Sequence, residues 1–191
     1  MWAEGLALWL WRHPRPAGAA GRCIGRCDLV ADRRRAKRLA HRIRRTARRY
    51  RLPQVVWTSP LRRCADVGRW LARWGWRHQI DAGLLELDFG SWDGRHWAAI
   101  PAAEVAAWEA DFAHQGPGGG ESLASLHCRC QAFVAARLAE GGQPVLVVAH
   151  AGWILASAGP PAGGWHASTW PAAPRHGSLT RRAGPAGPIG D

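Results

Sequence analysis

Lysine is nearly missing from this chain: of its 26 Lys and Arg residues, all but Lys37 are arginine. The bias is partly genomic, and it puts a formal net charge of +12 almost wholly on guanidinium groups. Long apolar runs are missing too. The longest near the N-terminus, Leu6 to Trp11, falls far short of the roughly 18 residues that span a bilayer. It follows Glu4 rather than a basic stretch and precedes no small-residue cleavage site. No membrane association or signal peptide is therefore expected, and the cytoplasm is the expected location. Cysteine is sparse and odd in number, at Cys23, Cys27, Cys64, Cys128 and Cys130, which argues against a secreted disulfide framework and for reduced thiols. Neither the CxxxC at Cys23 nor the CxC at Cys128 has the paired spacing of a structural zinc site, so no metal and no cofactor are expected. No internal repeat is visible, and 191 residues suit one domain, 1–191, rather than two.

What is present is an apolar share of 47%, 13 Trp and a basic run from Arg33 to Arg51. Such a charge attracts polyanions. Within the run, however, Ala36, Leu39, Ala40, Ile43, Ala47 and Tyr50 recur at helical spacing, which sends the arginines to the solvated face of an amphipathic helix. Nucleic acid is not the expected partner. A positive field that draws in a small phosphorylated metabolite is the milder reading.

Leu6–Trp11 reads as a buried strand ending at Arg12, His13 and Pro14, and Val55–Thr58 as a second. Ser59 and Pro60 read as the N-cap and first turn of a helix with Leu61, Cys64, Gly68 and Leu71 on one stripe, Arg63 lying off it near the start. Residues 84–94 suit an ordered loop, 98–113 a helix, and Leu123 to Leu138 a further amphipathic helix. Val145–Ala149 is the third strand, ending at His150, and residues near Gly177–Thr180 suit a short last one. Alternating strands and helices predict an α/β fold, a three-layer α/β/α sandwich with a mainly parallel central sheet. Ligands in such sheets bind beyond the carboxyl ends of the strands. His13, Arg63 and His150 all fall at such ends, and a site of converging cations suits a phosphate dianion.

These residues, with LWRHP at Leu10, TSPLRR at Thr58, LLELDFGSWDG at Leu84, GGGES at Gly118 and VLVVAHAG at Val145, resemble in order the histidine phosphatase superfamily, or phosphoglycerate-mutase-like fold. RHP followed by GRCIGRCD, and the late HGSLTRR at His176, are similar to the α-ribazole phosphatase branch. The resemblance implies His13 as nucleophile, Arg12, Arg63 and His150 as the phosphate pocket, and Glu86 as the acid that protonates the leaving oxygen. Attack through one ring nitrogen requires the other to keep its proton against a carbonyl or similar acceptor, and a protonated His150 would help to hold the developing charge. Asp88 and Asp93 are rivals for the acid's part, and capping a helix or pairing with an arginine is the plain alternative for Glu86. The implied activity is hydrolysis of a small phosphomonoester, with α-ribazole 5′-phosphate as the expected substrate. A broad-specificity sugar phosphatase, a phosphoglycerate mutase and a non-enzymatic phosphate-binding regulator are the alternatives. Departures from the family pattern are Pro14, Val67, Ala151 and the short Pro- and Gly-rich segment from Trp153 to Arg175.

Overall fold

The computed structural model describes residues 7–182, so Leu6 and both ends of the expected domain lie outside the described residues. Strands β1 (Leu8–Arg12), β2 (Val55–Thr58), β3 (Arg77–Ile80), β4 (Val145–Ala149) and β5 (Leu179–Arg182) form one sheet in the order β3-β2-β4-β1-β5. All neighbours run parallel except β5, which is antiparallel to β1. The helices are α1 (Arg33–Tyr50), α2 (Arg62–Ala72), α3 (Ala102–Ala110), α4 (Leu123–Ala139) and α5 (Ala151–Ala156).

The two central strands explain the layers. Both LWLWR and VLVVA are near-continuous apolar runs, which is what a strand covered on both faces requires. Side chains alternate across the sheet, so Leu8, Leu10, Val145 and Val147 pack with Leu126, Phe133 and Trp153 from α4 and α5. Trp9, Trp11, Leu146 and Val148 pack on the other face with Leu39 and Ile43 of α1 and Val67 and Leu71 of α2. The sheet is thus sandwiched as the sequence predicts. None of the helices among the described residues is long and apolar enough to cross a membrane.

Several local expectations are corrected. Tyr50 is 45% exposed and leans on Trp9 at the sheet edge instead of joining the α1 stripe. The cap at Ser59–Pro60 does not form: α2 begins at Arg62 behind Leu61, which makes no side-chain cap bond. The Ala-rich helix is shorter than 98–113 because Pro101 stands at its N-cap. Strand β3 was not foreseen, since RHQI has no apolar alternation. It is an edge strand, held by register with β2 and by a 2.7 Å hydrogen bond between the His78 ring and Thr58 Oγ1. The helix α5 was also missed, being a short helical turn inside a glycine-rich stretch.

Helix α2 lies over β3 so closely that a Cβ at Gly68 would overlap the His78 ring. Replacing Gly68 by Ala is therefore expected to cost about 1–3 kcal/mol of stability despite Ala's higher helix propensity, read as a lower Tm. An unchanged or raised Tm would show that this packing is not needed.

Candidate active site

The register of the two central strands builds the centre of the site. Arg12 is paired with Ala149, so the next residues of each strand, His13 and His150, leave the sheet side by side. The His13 amide donates to the Ala149 carbonyl at 3.0 Å, and the two ring centroids are 5.0 Å apart. His13 Nδ1 lies 2.7 Å from the Pro14 carbonyl, which fixes the proton on Nδ1 and leaves Nε2 as a free lone pair. This is the acceptor that the sequence argument required, supplied by the residue that departs from the family's usual glycine.

Arg63, 1% exposed, reaches the same place from the first turn of α2. Its Nε donates to His150 Nδ1 at 3.2 Å, and its terminal nitrogens donate to the carbonyls of Cys27 and Gly25, each at 2.6 Å. An Nδ1 that accepts from a permanently charged guanidinium cannot itself carry a proton. His150 is therefore neutral with its proton on Nε2, which corrects the expectation of a protonated ring. Burial, then His13 and Arg63, pushes its pKa well below 6.5. His13 is shifted the same way, chiefly by burial and by Arg63. His150 is fully buried and lies behind the cavity wall, whereas Arg12, His13, Arg63 and Glu86 line it.

Arg12 donates to the Pro174 carbonyl at 2.7 Å, and its buried Nε meets no hydrogen-bond acceptor among the described residues. That N–H belongs to a side chain that lines the cavity, where it is a donor open to an anionic ligand.

Glu86 approaches from the 84–94 loop to the start of α5. Its Oε1 accepts from the Leu87 and Trp153 amides, each at 3.1 Å, and Oε2 accepts from the Gly152 amide at 3.2 Å. Burial nevertheless dominates and raises its pKa above the ordinary 4.5. A Cβ at residue 152 would lie 2.6 Å from Oε1, so the glycine of VLVVAHAG makes room for this carboxyl.

The rival acids are otherwise engaged. Asp88 accepts from the Gly90 amide and closes a turn. Asp93 accepts from three amides, Gly25 at 2.7 Å, Arg26 at 2.8 Å and Cys27 at 2.6 Å, and so shapes the loop whose carbonyls hold Arg63. Asp28 accepts from the Arg62 amide at 2.6 Å, tying that loop to the start of α2. The GGGES segment has a comparable part. Glu121 receives two hydrogen bonds from Arg129, at 3.0 and 2.7 Å, and Arg129 in turn clamps the carbonyls of Gly83 and Leu85 just before Glu86. All five cysteines are free. A further imidazole was not anticipated: His176 lies 5.2 Å from the His13 ring, bonds the His13 carbonyl at 3.3 Å and lines the cavity. The HGSLTRR motif that contains it was the available signal.

The sequence profile of the histidine phosphatase superfamily (branch 1) matches residues 8–179. The chain belongs to this superfamily. Among solved structures of the fold, mycobacterial hydrolase 1 is similar at 28% identity, with a TM-score of 0.74 over 92% of this chain and 90% of its own. A mycobacterial glucosyl-3-phosphoglycerate phosphatase in complex with VO3 is 26% identical, with a TM-score of 0.74 over 92% and 90% of the two chains. An alpha-ribazole phosphatase from Shigella flexneri is 26% identical, with a TM-score of 0.70 over 92% and 89%. No curated protein sequence matches the chain.

Removing the Asp93 carboxylate in Asp93→Ala strands three amides and releases the loop that holds Arg63. Stability is expected to fall by on the order of 3 kcal/mol, with a parallel loss of orthovanadate affinity. Intact vanadate binding in a folded variant would show that Arg63 needs no such support.

Proposed function

We propose that this histidine phosphatase is a metal-independent phosphomonoesterase that works through a phosphohistidine at His13. The observation that carries the reading is the Pro14 carbonyl at His13 Nδ1, which leaves Nε2 as a nucleophile 5.0 Å, ring to ring, from His150. Arg12 Nε and the remaining N–H groups of Arg63 hold the equatorial oxygens of the phosphoryl group, the charge that a metal would otherwise meet. His150 keeps Arg63 in place through Nδ1 from behind the cavity wall. The Nε2 lone pair forms the N–P bond as the ester P–O bond breaks in line. Glu86, whose pKa burial raises, gives its proton to the leaving oxygen. In the second half the ionised Glu86 takes a proton from water, water attacks phosphorus, and the N–P bond breaks to release phosphate.

The cavity of about 630 Å³ suggests the rest of the substrate. Beyond the cationic end its walls include Phe89, Trp97, Trp108, Phe112, Leu155 and Trp170. Such walls favour a flat aromatic leaving group over a hydroxylated one. α-Ribazole 5′-phosphate, a benzimidazole riboside, fits that description and is our preferred substrate. A second reading, hydrolysis of glucosyl-3-phosphoglycerate, draws support from Arg15 and Arg22 on the cavity wall, which suit a substrate carboxylate.

His13→Ala is expected to abolish hydrolysis of every phosphomonoester, and EDTA to leave wild-type turnover intact; unchanged hydrolysis in the variant would refute the mechanism. In kcat/KM, which reports phosphoryl transfer to His13, Glu86→Gln should lose about 10²–10⁴-fold on alkyl esters but much less on p-nitrophenyl phosphate, whose leaving group needs no proton. The active form has neutral His13 and protonated Glu86. Activity should therefore fall on the acid side only well below 6.5, and on the alkaline side as Glu86 ionises above 4.5. Glu86→Gln should abolish the alkaline limb.

A second measurement addresses the substrate: kcat/KM for α-ribazole 5′-phosphate, glucosyl-3-phosphoglycerate and 3-phosphoglycerate, following phosphate release and isomerisation together. Preference for the first, with a raised KM in Trp108→Ala, supports the aromatic-wall argument. Efficient isomerisation with little phosphate release would instead make the chain a mutase.

A further inference from the structure

A second cavity, of about 600 Å³, adjoins the first, and Arg15 and His176 line both. Its floor is one stripe of α1: Arg35, Arg38, Arg42 and Arg45, at spacings of three, four and three residues along roughly 15 Å of helix axis. The opposite wall is the chain at Pro14–Arg15 and His176–Gly177. Gly177 has a φ of 71°, and a Cβ there would lie 2.5 Å from a terminal nitrogen of Arg42. The wall after His176 is thus set against the guanidinium row.

Among the described residues none of the groove arginines pairs with a carboxylate, whereas Arg26, Arg69, Arg129 and Arg137 elsewhere do. No acidic side chain among the described residues lines the groove. Like charges three and four residues apart on a helix repel, so the arrangement destabilises α1 unless an anion joins it. Arg presents a planar fork matched to phosphoryl oxygens, and four forks in a line suit a linear array of them better than one carboxylate. The lining has no Trp, Tyr or Phe, which withholds the stacking platform that single-stranded nucleic acids use.

We propose that this groove is a second anion site that takes an oligophosphate, a short linear chain of phosphoryl groups, beside the catalytic cavity. That chemistry can arrive as a free ligand or as the distal phosphate of a substrate anchored at His13.

The test is calorimetric titration of tripolyphosphate into the full-length protein with orthovanadate occupying the catalytic cavity. Wild type should bind, and Arg38→Gln/Arg42→Gln should weaken binding about tenfold or more, with the slope of log K against log salt shallower by about two. Neither residue lines the catalytic cavity, so turnover of p-nitrophenyl phosphate should be essentially unchanged in the variant. Comparing an alkyl bisphosphate with its matched monophosphate separates the two sources. A loss of kcat/KM confined to the bisphosphate identifies a substrate tail, and a response of tripolyphosphate binding alone identifies a separate ligand. Three results overturn the proposal: no tripolyphosphate binding beyond the vanadate-blocked site, binding indifferent to the double substitution, or equal affinity for a single-stranded oligonucleotide of the same charge. Failure of vanadate to bind would indict the phosphatase reading instead, and titration without it would still report on the groove.

Discussion

Everything in the site depends on one pairing, that of Arg12 with Ala149 across the parallel strands β1 and β4. Because the side-chain period of a strand is two, a slip by one residue would send Trp9 and Trp11 to the face that holds Leu8 and Leu10. It would also part the two imidazoles. Burial of both faces therefore protects the register that the rings require. The tryptophans of β1 bear on the site without approaching the cavity, by tying the alignment of β1 to the packing of both faces.

The rings so placed create an electrostatic difficulty. Arg12 and Arg63 stand beside two buried imidazoles, and neither cation has a carboxylate hydrogen-bonded to it among the described residues. Backbone carbonyls take that place: Pro174 for Arg12, Gly25 and Cys27 for Arg63. A carbonyl holds a guanidinium in position without cancelling its charge, whereas a carboxylate would compete with the phosphate. Asp93 and Glu121 are kept one step further out. Asp93 binds the amides of the loop rather than the arginine, and Glu121 neutralises Arg129, which shapes the chain leading to Glu86. These two counter-charges are thus spent on the scaffold rather than on Arg12 or Arg63.

That separation explains what was legible in the sequence. Strands β1, β2 and β4 were readable from apolar runs, α1 from its 3.6-residue periodicity, and the residues at the strand ends from the order of motifs. Patterns of burial leave a trace along the chain. Strand β3 left none, because its place is set by register with β2 and by His78 meeting Thr58, contacts between polar groups far apart in sequence. Arg63 was located but its surroundings were not, since the carbonyls that hold it belong to a loop 36 and 38 residues away. The charge state of His150 was misjudged for the same reason: it follows from which nitrogen meets Arg63 Nε. Asp93 was noticed as an acid when its work is that of a threefold acceptor, a distinction that only geometry can draw.

Glu86 shows how one local arrangement serves two opposed needs. A proton donor must hold its proton before the ester breaks, yet the resulting carboxylate must be stable enough to wait for water. Burial favours the neutral form, and the amides of Leu87, Gly152 and Trp153 favour the ionised one. Burial wins in the free protein, which raises the pKa, but the amides limit the rise. The short helix α5 therefore tunes the acid as well as closing the fold, and the missing side chain at Gly152 is what lets the carboxyl reach its amides.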